Sequence, residues 1–348
     1  MIDKRNVILA DCKPDEVKTL QDGLNDSKAW NFITESCISN GSHAGGVNAI
    51  RYLRYFTFPW KVFLHRKKYD CILGWQQFYA INFAFYCRLF HVSKTNKVVA
   101  LNFTYKRKGG FSGKLYDRYM RFALCSDYID YFHVPSGNYA ESCSKDLNIP
   151  IEKFIITTFG VPDIYDQWKN SKVQEKDYTL SIGRSNRDFD FLVRAWKRPC
   201  LQDHKLVIIS DIYHTKETLP GNVRIINNVV GDASFPWIAN SNMMIIPIDD
   251  GSICSGDTVL LNGMLMKKPV IVTKPSTLAE MYIEDGEDGR TIEKNEEVFS
   301  REIATLLNDK TECQRLGDNS RKKYLAHFSR FQLGKQIQPY LKKLNLKY

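Results

Sequence analysis

IIPIDDGSICSGDTVLLNGMLMKKPVIVT, residues 245–273, packs one full turn of an α/β sheet into a single stretch. The apolar run Ile245 to Ile248, with Pro247 inside it, suits a buried strand. An acidic, glycine-containing loop comes next, Asp249 to Gly256. Asp257 to Lys267 reads as a helix, because Leu260, Leu261, Met264 and Leu265 recur at spacings that share one face. Pro269 ends it, and Val270-Ile271-Val272 opens the next strand. Strand, small-residue loop, helix and strand in this order are the repeating unit of a parallel sheet. Ser255 reads as the helix N-cap, and Gly256 lets backbone come close to a ligand. Free amides at a helix start, at the positive end of its dipole, bind anions, and a diphosphate fits there. The carboxylate of Asp257 competes for the same amides. A merely well-capped helix therefore fits these residues equally well.

Strand and helix alternate outward from this stretch along most of the chain, which implies doubly wound parallel sheets. The 348 residues are enough for two domains of ordinary size, and 43% hydrophobic content suits a globular protein with sizeable cores. The net charge of +10 favours an acidic partner: a phosphorylated ligand, nucleic acid or an anionic membrane. Nine cysteines are scattered with no CxxC pair and no His/Cys cluster at metal-ligand spacing. The start MIDKRNVILAD does not read as a signal peptide. A reduced, cytoplasmic compartment without structural zinc is expected. Cys71 to Cys87 carries no charge, but it holds Gln76, Gln77 and Asn82. It is also short of the roughly 20 apolar residues a membrane span needs, so it reads as a buried strand plus helix.

In the second half, Tyr165 to Asp177 is polar and reads as a linker. The strand Tyr178 to Ile182 then runs into Gly183-Arg184-Ser185-Asn186-Arg187. A guanidinium is permanently charged and engages phosphate oxygens bidentately. Two arginines at a helix start oppose its dipole unless an anion visits. Val223 to Ile226 is another strand, with Asn227-Asn228-Val229-Val230 after it. Helices are expected over 296–307 and 315–328, and a basic one over 332–344 that Pro339 kinks or interrupts.

These stretches resemble, in order, signatures of the retaining GT-B glycosyltransferases of the large family 4, the glycosyl transferases group 1. Ile149-Pro150, Glu152-Lys153 and Gly160-Val161 resemble that family's domain junction. Gly183-Arg184 with Arg187 resembles its diphosphate clamp, Arg187 standing for the usual lysine. Residues 262–270 resemble its donor segment, and Ala279-Glu280 with Asp285-Gly286-Glu287-Asp288-Gly289 resembles the stretch on the C-terminal side of that segment. The family's two glutamates, eight positions apart, fall on Cys254 and Asn262. Asn262 can still hydrogen-bond a ribose hydroxyl. The resemblance covers about two fifths of the chain.

The resemblance implies two Rossmann-like domains facing across a cleft: 1–164 for the acceptor, 165–330 for the nucleotide-sugar, and 331–348 as a helix crossing back to the first. It implies donor contacts at Gly183, Arg184, Arg187, Val229, Ser255, Gly256, Asp257, Thr258 and Asn262. It also implies a retaining hexosyltransferase that uses no metal and no cofactor beyond a UDP- or GDP-linked sugar. The catalytic residue is not identified.

The first half adds its own signal. Ser39 to Gly46 reads as a loop in which Gly45 and Gly46 let backbone approach a donor phosphate, although Gly and Ser mark plain turns as well. His43 and His133 are candidates for acceptor chemistry, although a lone histidine is more often structural. Between Arg51 and Arg121 basic residues are dense, and the only acids are Asp70 and Asp117, so the chain's positive excess is concentrated here. Aromatics interleave with it, from Tyr52, Tyr55 and Phe56 to Tyr116 and Tyr119. Basic plus aromatic suits an anionic membrane interface. It also fits a solvated basic face over a core or, less well, stacked single-stranded nucleic acid.

The expectation is a glycosyltransferase acting on a glycan or lipid-linked acceptor at the inner face of the plasma membrane, in cell-surface polysaccharide synthesis, with no nucleic-acid partner. A non-catalytic partner of a transferase and a nucleic-acid binder are the alternatives.

Overall fold

The computed structural model describes residues 5–37, 45–252 and 254–346. The chain divides into two compact units, 1–162 with 329–348, and 163–328.

The first unit runs β1 (Arg5–Ala10), α1 (Pro14–Asn25), β2 (Phe32–Ser36), α2 (Gly45–Leu64), β3 (Tyr69–Gly74) and α3 (Gln77–Leu89). It continues through β4 (Lys97–Ala100), α4 (Gly110–Leu124), β5 (Tyr131–Val134), α5 (Gly137–Leu147) and β6 (Phe154–Ile156). The second unit holds α6 (Tyr165–Trp168), β7 (Tyr178–Ile182), α7 (Phe189–Trp196), β8 (Lys205–Ile209), β9 (Val223–Ile226), α8 (Phe235–Asn240) and β10 (Met243–Ile246). After these come α9 (Asp257–Leu265), β11 (Val270–Lys274), α10 (Thr277–Tyr282), β12 (Arg290–Glu293), α11 (Glu296–Asn308) and α12 (Lys310–Lys323). The last helix, α13 (Arg330–Lys343), belongs to the first unit again.

Each unit is a six-stranded sheet with parallel pairing throughout, in the orders β2-β1-β3-β4-β5-β6 and β12-β11-β10-β7-β8-β9. These are the doubly wound sheets expected from the alternation of elements. Strand side chains alternate between the two covered faces. Val7, Leu9, Ile72, Val98 and Ala100 pack with α2 to α5, whereas Ile8, Ala10, Leu73 and Val99 pack with α1 and α13. In the second unit Met243 and Ile245 pack with α7 and α11. Met244 faces α9, where a Cβ on Gly263 would meet its Sδ at 3.0 Å.

Several boundaries differ from the sequence expectations. The strand before the acidic loop is 243–246, two residues earlier than the apolar run suggests, and Pro247 lies beyond it. α4 starts at Gly110, inside residues 106–114, which read from the sequence as a basic loop. Tyr165, expected in a linker, opens a helical turn and lies under the Arg321 guanidinium at 4.8 Å. α13 runs through Pro339 without interruption. Among the described residues no helix is long and apolar enough to cross a membrane. The polar groups of 71–87 are bonded inside the fold, Gln77 to Thr104 and Asn82 to Tyr55 and Tyr119.

Candidate functional site

In the second unit the strand order reverses between β7 and β10, and the loops after these two strands meet at the crevice where open α/β sheets hold ligands. The loops are joined main chain to main chain. Asp188 N donates to Pro247 O at 2.9 Å, and Arg187 bridges Ile248 in antiparallel fashion. Asn186 turns at φ 55°, a conformation its short polar side chain tolerates. Its amide donates to Asp250 O at 3.0 Å, and its side-chain oxygen accepts from Asp250 N at 2.7 Å. Lys294 pairs with Asp188 at 2.7 Å. Beside this junction a cavity of about 720 Å³ opens among Lys274, Ser276, Glu280, Ile283, Glu293 and Lys294.

Arg187 extends from the junction to the start of α9. Its stem lies against Gly183 and its guanidinium against Gly256, where a Cβ would meet Nη2 at 2.2 Å. Nη1 donates to the carbonyls of Ser185, Asn186 and Ser255 at 3.2, 3.1 and 3.3 Å. Nε is buried without a hydrogen-bond partner among the described residues. Burial pushes this arginine down to about 10, against the pull of Asp257. Among the described residues no carboxylate forms an ion pair with it. A half-buried cation hydrogen-bonded, among the described residues, to carbonyls and not to a carboxylate is suited to a visiting anion.

Gly256, not Ser255, is the N-cap of α9. The chain enters the helix at φ 114°, a conformation that would strain a serine and suits glycine. The first intrahelical bond runs from Leu260 N to Gly256 O at 2.9 Å, leaving the amides of Asp257, Thr258 and Val259 without an intrahelical acceptor. Among the described residues no side chain caps the helix start. Asp257, the expected competitor, turns back instead and accepts from the Cys254 thiol at 3.3 Å. Burial and then Asp257 push that thiol up to about 12, so Cys254 stays neutral.

The remaining expected residues scatter more. Arg184 is exposed and pairs with Asp211, after β8, at 2.8 Å. β8 and β10 flank β7 on opposite sides, so the two arginines of the expected clamp diverge and only Arg187 reaches α9. Val229 is half-buried beyond β9, on the Arg184 side. Asn262 is half-buried on α9 and Thr258 is exposed at its start. In the first unit Gly45 and Gly46 are the first residues of α2 rather than of a loop, and His43 lies outside the described residues. His133 is a core residue of β5. One ring nitrogen accepts from Asn102 N at 3.2 Å, the other lies 2.9 Å from Thr157 Oγ1, and burial pushes the ring down to about 4. Sequence reading missed the bracing role of Asn186; its signal was an Asn in the turn after a strand.

The family model for glycosyl transferases group 1 matches residues 176–309, which include the whole of this site. No curated protein matches the chain in sequence. Solved structures share the architecture. Anabaena HepE in complex with UDP is 12% identical with a TM-score of 0.62, covering 97% of this chain and 100% of its own. Sucrose-phosphate synthase from Thermosynechococcus elongatus is 13% identical with a TM-score of 0.62, covering 98% and 99%. WaaG, a glycosyltransferase involved in lipopolysaccharide biosynthesis, is 14% identical with a TM-score of 0.56, covering 96% and 99%. At these identities the likeness shows the fold, which is GT-B.

Proposed function

We propose that this chain, whose second unit carries the glycosyl transferases group 1 region, transfers a hexose from a nucleotide-sugar to a glycan or lipid-linked acceptor. The observation that carries the reading is Arg187, a desolvated guanidinium without a carboxylate partner among the described residues, set against the uncapped start of α9 at the strand-order reversal. A diphosphate there meets charge-assisted donors from Arg187 and main-chain amides from Asp257 to Val259. Those donors stabilise the leaving nucleoside diphosphate as its charge develops, which is the electrostatic task a metal-independent, retaining transfer leaves to the protein. Arg184 joins them by exchanging Asp211 for phosphate. HepE has been solved with UDP and with UDP-glucose, which favours a uridine donor over GDP here. Polysaccharide synthesis at the cytoplasmic face of the plasma membrane fits the basic first unit, and the involvement of WaaG in lipopolysaccharide biosynthesis favours a glycan product. A second reading, a non-catalytic partner protein, has its own support: Cys254 and Asn262 replace two charged groups with neutral ones.

The test is calorimetric titration with UDP and GDP, with a donor-turnover assay read by mass spectrometry. Arg187→Ala should weaken UDP binding about 10- to 100-fold, the value of one or two charge-assisted hydrogen bonds. Arg184→Ala should weaken it less. Full turnover by the double variant would end the reading, and UDP binding without turnover would favour the partner protein.

A further inference from the structure

The helices α2, α3 and α4 form one layer over the first unit's sheet, knit by buried Asn82 of α3. Its amide donates to Tyr55 O at 2.6 Å and its carbonyl accepts from the Tyr119 hydroxyl at 2.5 Å. Outside this pair Phe56 of α2 meets Tyr119 of α4, ring centroids 6.1 Å apart. The layer sorts the hydrophobic residues of the basic region. Tyr55, Phe63, Tyr79, Phe103 and Tyr105 fill the core. Ile50, Tyr52, Leu53, Phe56 and Leu64 on α2, with Phe111 and Leu115 on α4, face outward; Phe111 is 79% and Leu53 62% exposed. Apolar side chains exposed on α2 and α4, the helices that flank α3 and meet at Phe56 and Tyr119, mark a docking surface rather than ordinary exposure.

Charge identifies what covers it. Arg54, Lys61, Lys108, Lys114 and Arg118 border the apolar positions, and neither α2 nor α4 has an acid in its first turn. Of the two acids between 51 and 121, Asp117 is engaged by the Tyr105 hydroxyl at 2.5 Å and by Arg121 at 2.8 Å. Lysine and arginine stems can lie along the apolar stripe while their heads reach outward, the profile of a helix face that lies in a lipid interface. Four of the seven outward apolar residues, Ile50, Leu53, Leu64 and Leu115, are aliphatic and offer no ring for a base to stack on, which favours lipid over nucleic acid.

We propose that the outer face of α2 and α4 docks on a bilayer containing anionic lipid. Leu53, Phe56, Phe111 and Leu115 enter the boundary between headgroups and acyl chains, and the surrounding cations meet lipid phosphates. The inference rests on the membrane-surface part of the function proposed above and places it on named residues.

Vesicle flotation of the full chain tests it, with phosphatidylcholine alone against phosphatidylcholine plus phosphatidylglycerol, at low and high salt. Binding should require the anionic lipid and fall with salt. Lys108→Gln, Lys114→Gln and Arg118→Gln together should weaken it about 100-fold, since each cation near the surface contributes about fivefold. Leu53→Ser with Phe111→Ser should weaken it while leaving the salt dependence in place. Thermal melts and UDP titration of the same variants verify folding. Equal flotation with neutral vesicles, or unchanged flotation of both variants, overturns the proposal. So does tight binding of single-stranded RNA together with undiminished flotation of the serine variant, which would make this a polyanion surface. Absent UDP binding with intact anionic flotation would sink the transferase reading and leave the surface standing. Intact UDP binding without flotation would do the reverse.

Discussion

Arg187 is the residue on which the site turns. Its charge is partly desolvated, and among the described residues its Nε has no hydrogen-bond partner and its Nη1 is met by three carbonyls rather than a carboxylate. Without an anion this is a poor place for a cation, and a group arranged for ligand is commonly a group arranged against stability. Arg187→Met keeps the stem that lies on Gly183 and removes the charge. The ligand-free melting temperature of this variant should equal or exceed that of the parent, while the upward shift given by saturating UDP disappears. A drop of several degrees without ligand would show that the guanidinium is a structural strut. At this scale the sequence names residue types, two permanently charged arginines after a strand, but not their surroundings. It did not show that Arg184 is paired with Asp211, because that contact joins residues from different loops. Nor did it show the neutral state of Cys254, which depends on burial.

Among elements, α9 carries the chemistry, and its entry depends on one glycine. Gly256 sits at φ 114° with the Arg187 guanidinium against its Cα, so a methyl group there is opposed by backbone strain and by contact at once. Gly256→Ala should cost about 1–3 kcal/mol of stability and weaken UDP binding at least tenfold by displacing Arg187, read by denaturant melts and calorimetry. Binding at the parent's affinity would mean that Arg187 is free to move and is not positioned by this turn. Side-chain preference names Ser255 as the cap, since serine is the commoner choice. The close approach of Arg187 is a tertiary fact and overrides that preference. Other elements divide in the same way. Strands rich in apolar and β-branched residues, such as Tyr178–Ile182 and Val223–Ile226, were legible from composition alone. β12, Arg-Thr-Ile-Glu, was not: it is short, polar at both ends and on the sheet edge, so only Ile292 is buried. The start of α4 was hidden by Gly109-Gly110, which reads as a turn but becomes the N-cap and first residue of the helix.

For the whole molecule, the route of the chain matters more than any single contact. After completing the second unit it returns, and α13 packs on α1 against the first unit's sheet. The two helices approach at paired glycines. A Cβ on Gly334 would meet Leu20 O at 2.6 Å and Leu24 N at 2.7 Å, and one on Gly23 would meet Phe331 O at 2.1 Å. Gln338 donates to Gly23 O at 2.7 Å, and Lys335 pairs with Asp26 at 3.2 Å. Around this crossing Leu333, Ile337 and Leu341 are buried with Val17, Leu20 and Leu24. Each such side chain contributes about 1.5–3 kcal/mol when removed from water, so three of them are comparable with the whole stability of a typical domain. Gly334→Val cannot be absorbed locally, because the atoms it meets are backbone. The helices must separate, and the apolar stripe of α13 loses its cover. The second unit keeps its own sheet and its core of Phe191, Leu192, Trp196 and Phe299. Calorimetry of the Gly334→Val variant should therefore show a low-temperature transition that UDP does not move, and a second transition near the parent's that UDP raises. A single transition lowered as a block would show that the two units unfold as one and that the returning helix stabilises both.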